Sequence, residues 1–465
     1  MVIDSRPVIQ RLAFDDTDLP EVVCHTLLRE LPKRRQVFAA HWGDKPVIAK
    51  LYFGRRAKRH WQRELSGSRA LRAAAITTPD ILHSGGLRDN SLIILYQALP
   101  QPVTALEAWD RCETDAERCQ LLRRLLALIA ATHRHGLLQT DIHLNNFLLS
   151  NKALYAIDGD GVRRYPGAIH ALLYRKNLAM LLAQLPISAE NLINAAVATY
   201  LENHPQPHPD FHNKLTKDLD RARRKRRLRY VAKCTRNCTE FVRRQTFRHL
   251  TIARRELAAT DTLKDFLHDP DRFLGQGMLL KEGNSATVAK VMTDEGEWVI
   301  KRYNQKSLLH ALKKNLKSSR ALVSWRNAHR LAGSGITTPQ ALVLMENRVG
   351  LWKRTCYYVS RWCDASDLDQ VFETFDEPKQ NTAAARGLVK LLRQFHQLGI
   401  YHGDCKATNF LVTDTAEPVV IDLDAMGEGR WRFLYRRRYR RDRQRFLANW
   451  PKKSPLHHFF DQQLP

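Results

Sequence analysis

Two sets of residues in this chain share type, order and spacing, and both suit the movement of a phosphoryl group: Lys50, Asp141, Asn146 and Asp158, then Lys301, Asp404, Asn409 and Asp422. Such a transfer asks little covalent work of a protein; phosphates must be clamped, a metal held and the acceptor hydroxyl oriented. A lysine inside a strand, as at Lys50 and Lys301, can reach the α/β-phosphates of a nucleotide. A loop aspartate, Asp141 or Asp404, can orient the acceptor hydroxyl and take its proton. The asparagine five residues on and the aspartate about a dozen later can share Mg²⁺, a hard cation that prefers carboxylate and amide oxygens. A lone Asp or Asn in a loop is usually a turn or cap residue. An ordered set that occurs twice is a different matter.

The elements that must position these residues also occur twice. HRHGLLQTDIHLNNFLL (His133–Leu149) aligns with HQLGIYHGDCKATNFLV (His396–Val412) at an offset of 263 positions, and ITTP recurs at Ile76–Pro79 and Ile336–Pro339. Leu121, Leu125, Leu128 and Ile129, and likewise Ala384, Leu388, Leu391, Leu392, Phe395 and Leu398, have helical spacing, with Gly136 and Gly399 where a helix C-cap belongs. Each Asp-x-x-x-x-Asn segment is therefore expected as a loop leaving a buried helix. Ala153–Ile157 and Pro418–Ile421 read as short strands, each delivering an aspartate at its end, and Pro46–Tyr52 and Glu297–Tyr303 read as strands that carry the lysines. Strand-rich then helix-rich, twice over, is an α+β order. The expected domains are 1–250 and 251–465, parted between about Arg244 and Lys264.

A chain of 465 residues suits two such domains. It carries 75 Lys+Arg against 48 Asp+Glu, a net charge of +27, part of it in RARRKRRLR (Arg221–Arg229) and RRRYRRDRQR (Arg436–Arg445). That surplus implies an anionic partner such as a membrane surface or a phosphorylated glycan, although either run alone equally fits a solvated helix face. Nucleic acid is set aside because no base-reading motif accompanies the arginines. The eight cysteines are scattered without a CxxC pair, which points to free thiols in a reducing cytoplasm rather than zinc. No apolar run is long enough to span a membrane, and MVIDSRPVIQ is not expected to be a secretory signal.

HGDCKATNFLV followed by VVIDLD resembles the catalytic and metal-binding loops of the kinase superfamily, and more narrowly those of the bacterial lipopolysaccharide kinase (Kdo/WaaP) family, whose members phosphorylate inner-core sugars. The resemblance runs from Lys50 to about Pro186 and from about Gly283 to Pro451. It implies two tandem bilobal kinase-like domains, each with a small β-rich lobe and a helical lobe, that use ATP and Mg²⁺. By position it makes Asp404 and Asp141 catalytic aspartates, Lys406 a γ-phosphate contact, and Asn409, Asp422, Asn146 and Asp158 metal ligands. Lys301 and Lys50 become ATP-binding lysines, Gly283 in KEGNSATVAKV the remnant of a glycine-rich loop, and Tyr357–Trp362 the hinge that meets adenine.

Glu64 can hold Lys50, whereas Ser324 or Trp325 stands where the second copy should have that acid. The first copy has His143 in place of Lys406 and QTD in place of HGD, and Leu31–Asp44 holds no glycine loop. The second copy is thus expected to do the chemistry. The implied activity is phosphorylation of heptose or Kdo on a lipopolysaccharide core, at the cytoplasmic face of the inner membrane and peripherally bound to it. A protein Ser/Thr or Tyr kinase and a partly inactive scaffold are the alternatives. His133, His396, His402, Asp160 and Asp424 are expected to be structural, and Trp325, Trp352 and Trp431 to be core or lobe contacts.

Overall fold

In the strand Lys45–Tyr52, buried Val47, Ala49 and Leu51 alternate with half-buried Ile48 and Lys50, the period-two pattern of a strand with one face on a core. It sits inside a six-stranded antiparallel sheet ordered Arg6–Leu12, Val22–Leu31, Arg35–Trp42, Lys45–Tyr52, Leu92–Gln97, Ile81–Gly86. The helix Ala57–Ala73 follows, its Leu65 clustered with Tyr52, Ile94 and Tyr96. A computed structural model describes residues 6–167, 169–204, 210–304, 318–350, 352–372, 381–429 and 432–465. In it the chain divides into two compact units, Met1–Arg223 and Arg224–Pro465.

The second unit is built on a seven-stranded antiparallel sheet ordered Met278–Lys281, Ala286–Thr293, Gly296–Tyr303, Trp352–Arg361, Ala341–Val349, His249–Arg254, Phe241–Gln245. Its first five strands repeat the order of the first unit's sheet from Val22–Leu31 onward. The first unit adds Arg6–Leu12 at one edge; the second adds the hairpin Phe241–Arg254 at the other. That hairpin explains why the units divide ahead of 250/251. His249–Ala253 pairs with Val343–Asn347, and Phe241, fully buried, packs edge-on to Trp325 at 5.8 Å. The division falls within the helix Phe211–Lys233.

Each unit continues into a helical part, so the chain is α+β throughout. In the first, Thr114 and Glu117 form a capping box that starts the helix Asp115–Arg134, whose Leu121, Leu125 and Ile129 enter the core. It ends at Gly136, which has φ +71 and where a Cβ would lie 2.8 Å from Tyr165 O, so only glycine fits. Helix Asn381–Leu398 and Gly399, at φ +67, repeat the arrangement in the second unit. The ITTP segments dock the aspartate-bearing strands: Ala156 N–H donates to Thr77 O at 2.8 Å, and Val420 N–H to Thr337 O at 3.0 Å.

The two basic runs are helical and two-faced. Arg223 is buried against Glu190, and Arg227 donates to Glu428 and to Leu398 O, each at 3.1 Å. On the helix Arg432–Leu447, Tyr435, Tyr439, Asp442 and Phe446 are buried while Arg436, Arg437, Arg438, Arg440 and Arg441 face solvent. Trp325 is a core residue, but Trp352 is 51% exposed beside a strand turn, and Trp431 lies outside the described residues. All eight cysteines are free thiols. Among the described residues no helix is long and apolar enough to cross a membrane.

Candidate active site

The second unit's loop is held from below by buried groups. Strand Ile400–Tyr401 pairs with Gly427–Glu428 and leads through His402 to Asp404, after which a single 3-10 turn, Ala407–Asn409, enters the hairpin Phe410–Val412 and Pro418–Val420. His402 Nε2 donates to Ile421 O at 3.0 Å, and burial lowers its pKa, leaving the imidazole neutral. The carboxylate of Asp442, from the helix behind, accepts His402 N–H at 2.6 Å and Gly403 N–H at 2.9 Å. Gly403 has φ +84, and a Cβ there would stand 2.4 Å from Ala425 O, so the loop can cross at this point only as glycine.

These restraints gather three of the expected site residues. Asn409 Nδ2 donates to Asp404 O at 2.7 Å, and Ile421 N–H donates to Asn409 O at 3.0 Å, which sets Asp422 beside them. Asp422 adopts left-handed backbone, φ 54, a costly conformation for a residue with a side chain. Its counterpart Asp158 does the same at φ 73. Lys301 Nζ reaches Asp422 Oδ1 at 2.6 Å and Asp424 Oδ2 at 3.3 Å. Burial would raise the Asp422 carboxyl, but Lys301 outweighs it and holds the group low. The missing glutamate is thus replaced: Ser324 bonds Tyr303 Oη at 2.9 Å, and Asp424 holds the lysine while also taking Arg320 at 2.8 Å.

Asp404 itself faces two cations, with Lys406 Nζ 3.4 Å from Oδ2 and Arg445 Nε 3.3 Å from Oδ1. Above the site, Gly283 lies in the turn between Met278–Lys281 and Ala286–Thr293. A Cβ at Gly283 would make only an ordinary 3.5 Å contact, so local geometry does not demand glycine there. Tyr357–Arg361 does not match the hinge expectation. This segment is the middle of a strand hydrogen-bonded on both sides, and Trp362 N–H donates to Glu297 O, so their backbone groups are occupied. Backbone outside regular structure begins only at 362–365.

The first unit builds the same loop with different side chains. Gln139 Nε2 donates to Ile157 O at 2.8 Å, as His402 does to Ile421, and Asn146 Nδ2 donates to Asp141 O at 2.9 Å. Lys50 Nζ meets Glu64 Oε1 at 2.5 Å, and Tyr96 Oη and Asp160 N–H donate to the same carboxylate at 3.0 Å each. Against the burial that would raise it, Lys50 and Arg35 keep Glu64 well below the usual carboxylate range. Two features set this site apart. Arg35 projects between the carboxylates, 3.6 Å from Asp158 Oδ1 and 4.0 Å from Glu64 Oε2. Asp141 is exposed and, among the described residues, has no cationic partner. His143 Nδ1 accepts Asn145 N–H and so caps the 3-10 turn, and Gln184 occupies the place of Arg445, bonding Leu144 N and Ile142 O. His133 is a core group bonded to Tyr200 Oη and Asn177 Oδ1, and His396 Nδ1 lies 3.2 Å from Tyr435 Oη.

No group of three His, Cys, Asp or Glu side chains that could hold a metal occurs among the described residues. The Asn/Asp sets nevertheless fit Mg²⁺. Each asparagine spends its amide N–H₂ on backbone, which leaves its carbonyl oxygen for a cation, and Asp158 Oδ1 is buried without a hydrogen bond. Four residues that sequence reasoning passed over shape the sites: Arg35, Arg320, Asp442 and Arg445. Only Asp442 gave a signal, as the lone acid of a basic run, in step with Tyr435, Tyr439 and Phe446.

A strand lysine under a five-strand antiparallel sheet, a loop aspartate, an asparagine five residues on and a strand-end aspartate define a kinase-type phosphotransferase domain. Residues 274–449, within the second unit, match the lipopolysaccharide kinase (Kdo/WaaP) family. That stretch is similar to the kinase domain of that family. No curated protein matches the chain.

Proposed function

We propose that this protein transfers the γ-phosphate of ATP to a sugar hydroxyl, heptose or Kdo, of a lipopolysaccharide inner core, and that the second unit does the chemistry. The observation that carries this is the convergence of Lys301, Asp404, Asn409 and Asp422 inside the stretch that matches the family. Asp404 orients the acceptor hydroxyl and takes its proton as the new O–P bond forms and the bond to the β,γ-bridging oxygen breaks. Lys406 and Arg445 face the same carboxylate, so they meet the transferring group where negative charge develops. Asn409 and Asp422 hold Mg²⁺, which neutralises phosphate charge when bound. Lys301, held in the free protein by Asp422 and Asp424, is placed to turn to the nucleotide phosphates. In the first unit Arg35 stands against the metal-ligand carboxylate and Asp141 has no cationic partner among the described residues, which favours a supporting rather than a transferring role. The charge of +27 supports peripheral attachment to the anionic cytoplasmic face of the inner membrane.

The test is transfer of labelled phosphate from Mg-ATP to purified truncated core lipopolysaccharide and, in parallel, to a generic protein acceptor. Label in the lipopolysaccharide alone is expected. Label in protein alone would give the protein-kinase reading, and nucleotide binding with no transfer to either would leave a scaffold.

A further inference from the structure

The first unit has a cleft of about 430 Å³ that the reaction above does not use. It opens between the turn joining Val22–Leu31 to Arg35–Trp42 and the start of the helix Ala57–Ala73, and Lys33, Arg34, Arg55, Arg56, Arg59 and Arg63 line it. Among the described residues only Arg63 of these six has a carboxylate partner, Asp160 at 3.0 Å. Arg34 Nη2 can only donate, so His60 Nε2, at 3.0 Å, accepts, and Nδ1 of the same ring faces Asp160 Oδ2 at 3.5 Å. Five cations thus surround one concavity without an anion.

The helix start makes the same point independently. Helix N-termini favour acids and a capping oxygen, because their free N–H groups and the macrodipole are positive. The helix Ala57–Ala73 has no acid in its first turn and no side-chain cap, and Arg55, Arg56, Lys58 and Arg59 stand there instead. The facing turn is held in place as well. Lys33 is left-handed at φ 60, Phe53 N–H donates to Arg34 O at 3.1 Å, and a Cβ on Gly54 would come 2.8 Å from Lys33 O. Unneutralised like charges on two pinned elements repel one another, and an anion of several charges removes that cost.

We propose that this cleft is a binding site for clustered phosphates, such as a diphosphate, a triphosphate or neighbouring phosphomonoesters, carried by the first unit apart from the transfer centre. Arginine forks and free helix N–H groups suit phosphate oxygens.

Calorimetric titration of the full chain without Mg²⁺, using tripolyphosphate and orthophosphate as probes, tests it. Tripolyphosphate is expected to bind at least about 10-fold more tightly than orthophosphate. The exposed pair Arg55→Ala/Arg59→Ala should weaken it by about 10-fold or more, while Arg69→Ala/Arg72→Ala, equal in charge and at the far end of the helix Ala57–Ala73, and Lys301→Met leave it unchanged. Equal affinity for the two phosphates, an unaffected cleft variant, an equal loss in the Arg69/Arg72 control, or loss on Lys301→Met would each overturn the proposal. Pelleting with phosphatidylcholine vesicles, with and without phosphatidic acid, separates the sources. Retention that the cleft variant loses assigns the phosphates to a lipid headgroup; tripolyphosphate binding without retention assigns them to a soluble ligand.

Discussion

Among the described residues two cations flank the Asp404 carboxylate and none flanks Asp141, and this difference decides which copy should lose activity on mutation. Asp404→Ala is expected to lower ATP-dependent transfer by about 10²–10⁴-fold, with Asp141→Ala within about threefold of the parent. The two are compared under saturating Mg-ATP after circular dichroism has shown both folded; the reverse ranking would move the chemistry to the first unit. His329 sets a different prediction. It is buried among Trp325, Phe241 and Tyr230 with Nε2 unbonded, and burial lowers its pKa to about 3. The unfolded chain takes up this proton below the ordinary value of 6.5 while the fold refuses it, so stability falls as pH drops from there toward 3. The slope from this group approaches about 1.4 kcal/mol per pH unit. His329→Phe should therefore match the parent near pH 8 and melt higher near pH 5, in thermal melts across that range. The motif residues were legible because one-dimensional spacing carries them. Arg35 and Arg320 were not, because their importance lies in the carboxylates that folding sets against them, across 123 and 104 positions.

At the scale of the element, the helix Arg432–Leu447 is a brace as well as a charged face. Its Asp442 accepts two N–H groups of the HGD loop, and burial pushes this carboxyl up, so the loop depends on a costly buried acid. Asp442→Ala leaves two buried donors unpaired, a destabilisation of about 2–5 kcal/mol. Asp442→Asn, which keeps an acceptor, should recover part of it. Urea melts measure the loss, and hydrogen exchange at His402 and Gly403 should rise before the sheet opens; an unchanged melt for Asp442→Ala would remove the brace. The strands and long helices were foreseeable from period-two and 3.6-residue patterns, whereas the hinge was misplaced by one element. A central strand and the segment after it have the same apolar texture in sequence, and only pairing on both sides shows that Tyr357–Arg361 has no backbone to spare.

For the whole molecule, duplication was visible at once, but the place of division was not, because a polar stretch such as Arg243–Leu257 looks like a linker until its strands find partners. A fragment beginning at residue 251 would lack Phe241 and the edge strand that covers Trp325. It should express as an insoluble or molten chain, whereas one beginning at residue 224 should give a cooperative melt; two equal melts would argue that the hairpin is dispensable. The crossing beneath the two aspartate loops has a consequence for how the two copies can change. In the second unit the glycine is on the loop, Gly403, facing Ala425; in the first it is on the opposite segment, where Thr140 N–H and Oγ1 both donate to Gly161 O. Only the second crossing demands its glycine: a Cβ on Gly403 would stand 2.4 Å from Ala425 O, whereas one on Gly161 would come no nearer than 3.7 Å to Asp141 N. The first copy's Thr140 set at the place of Gly403 would therefore clash with Ala425 O, while glycine set at the place of Thr140 would cost only the Oγ1 hydrogen bond to Gly161 O. Gene conversion from the first half into the second, a force that would keep the duplicated sequences alike, is thereby penalised at this point, and the copies are free to drift apart around it.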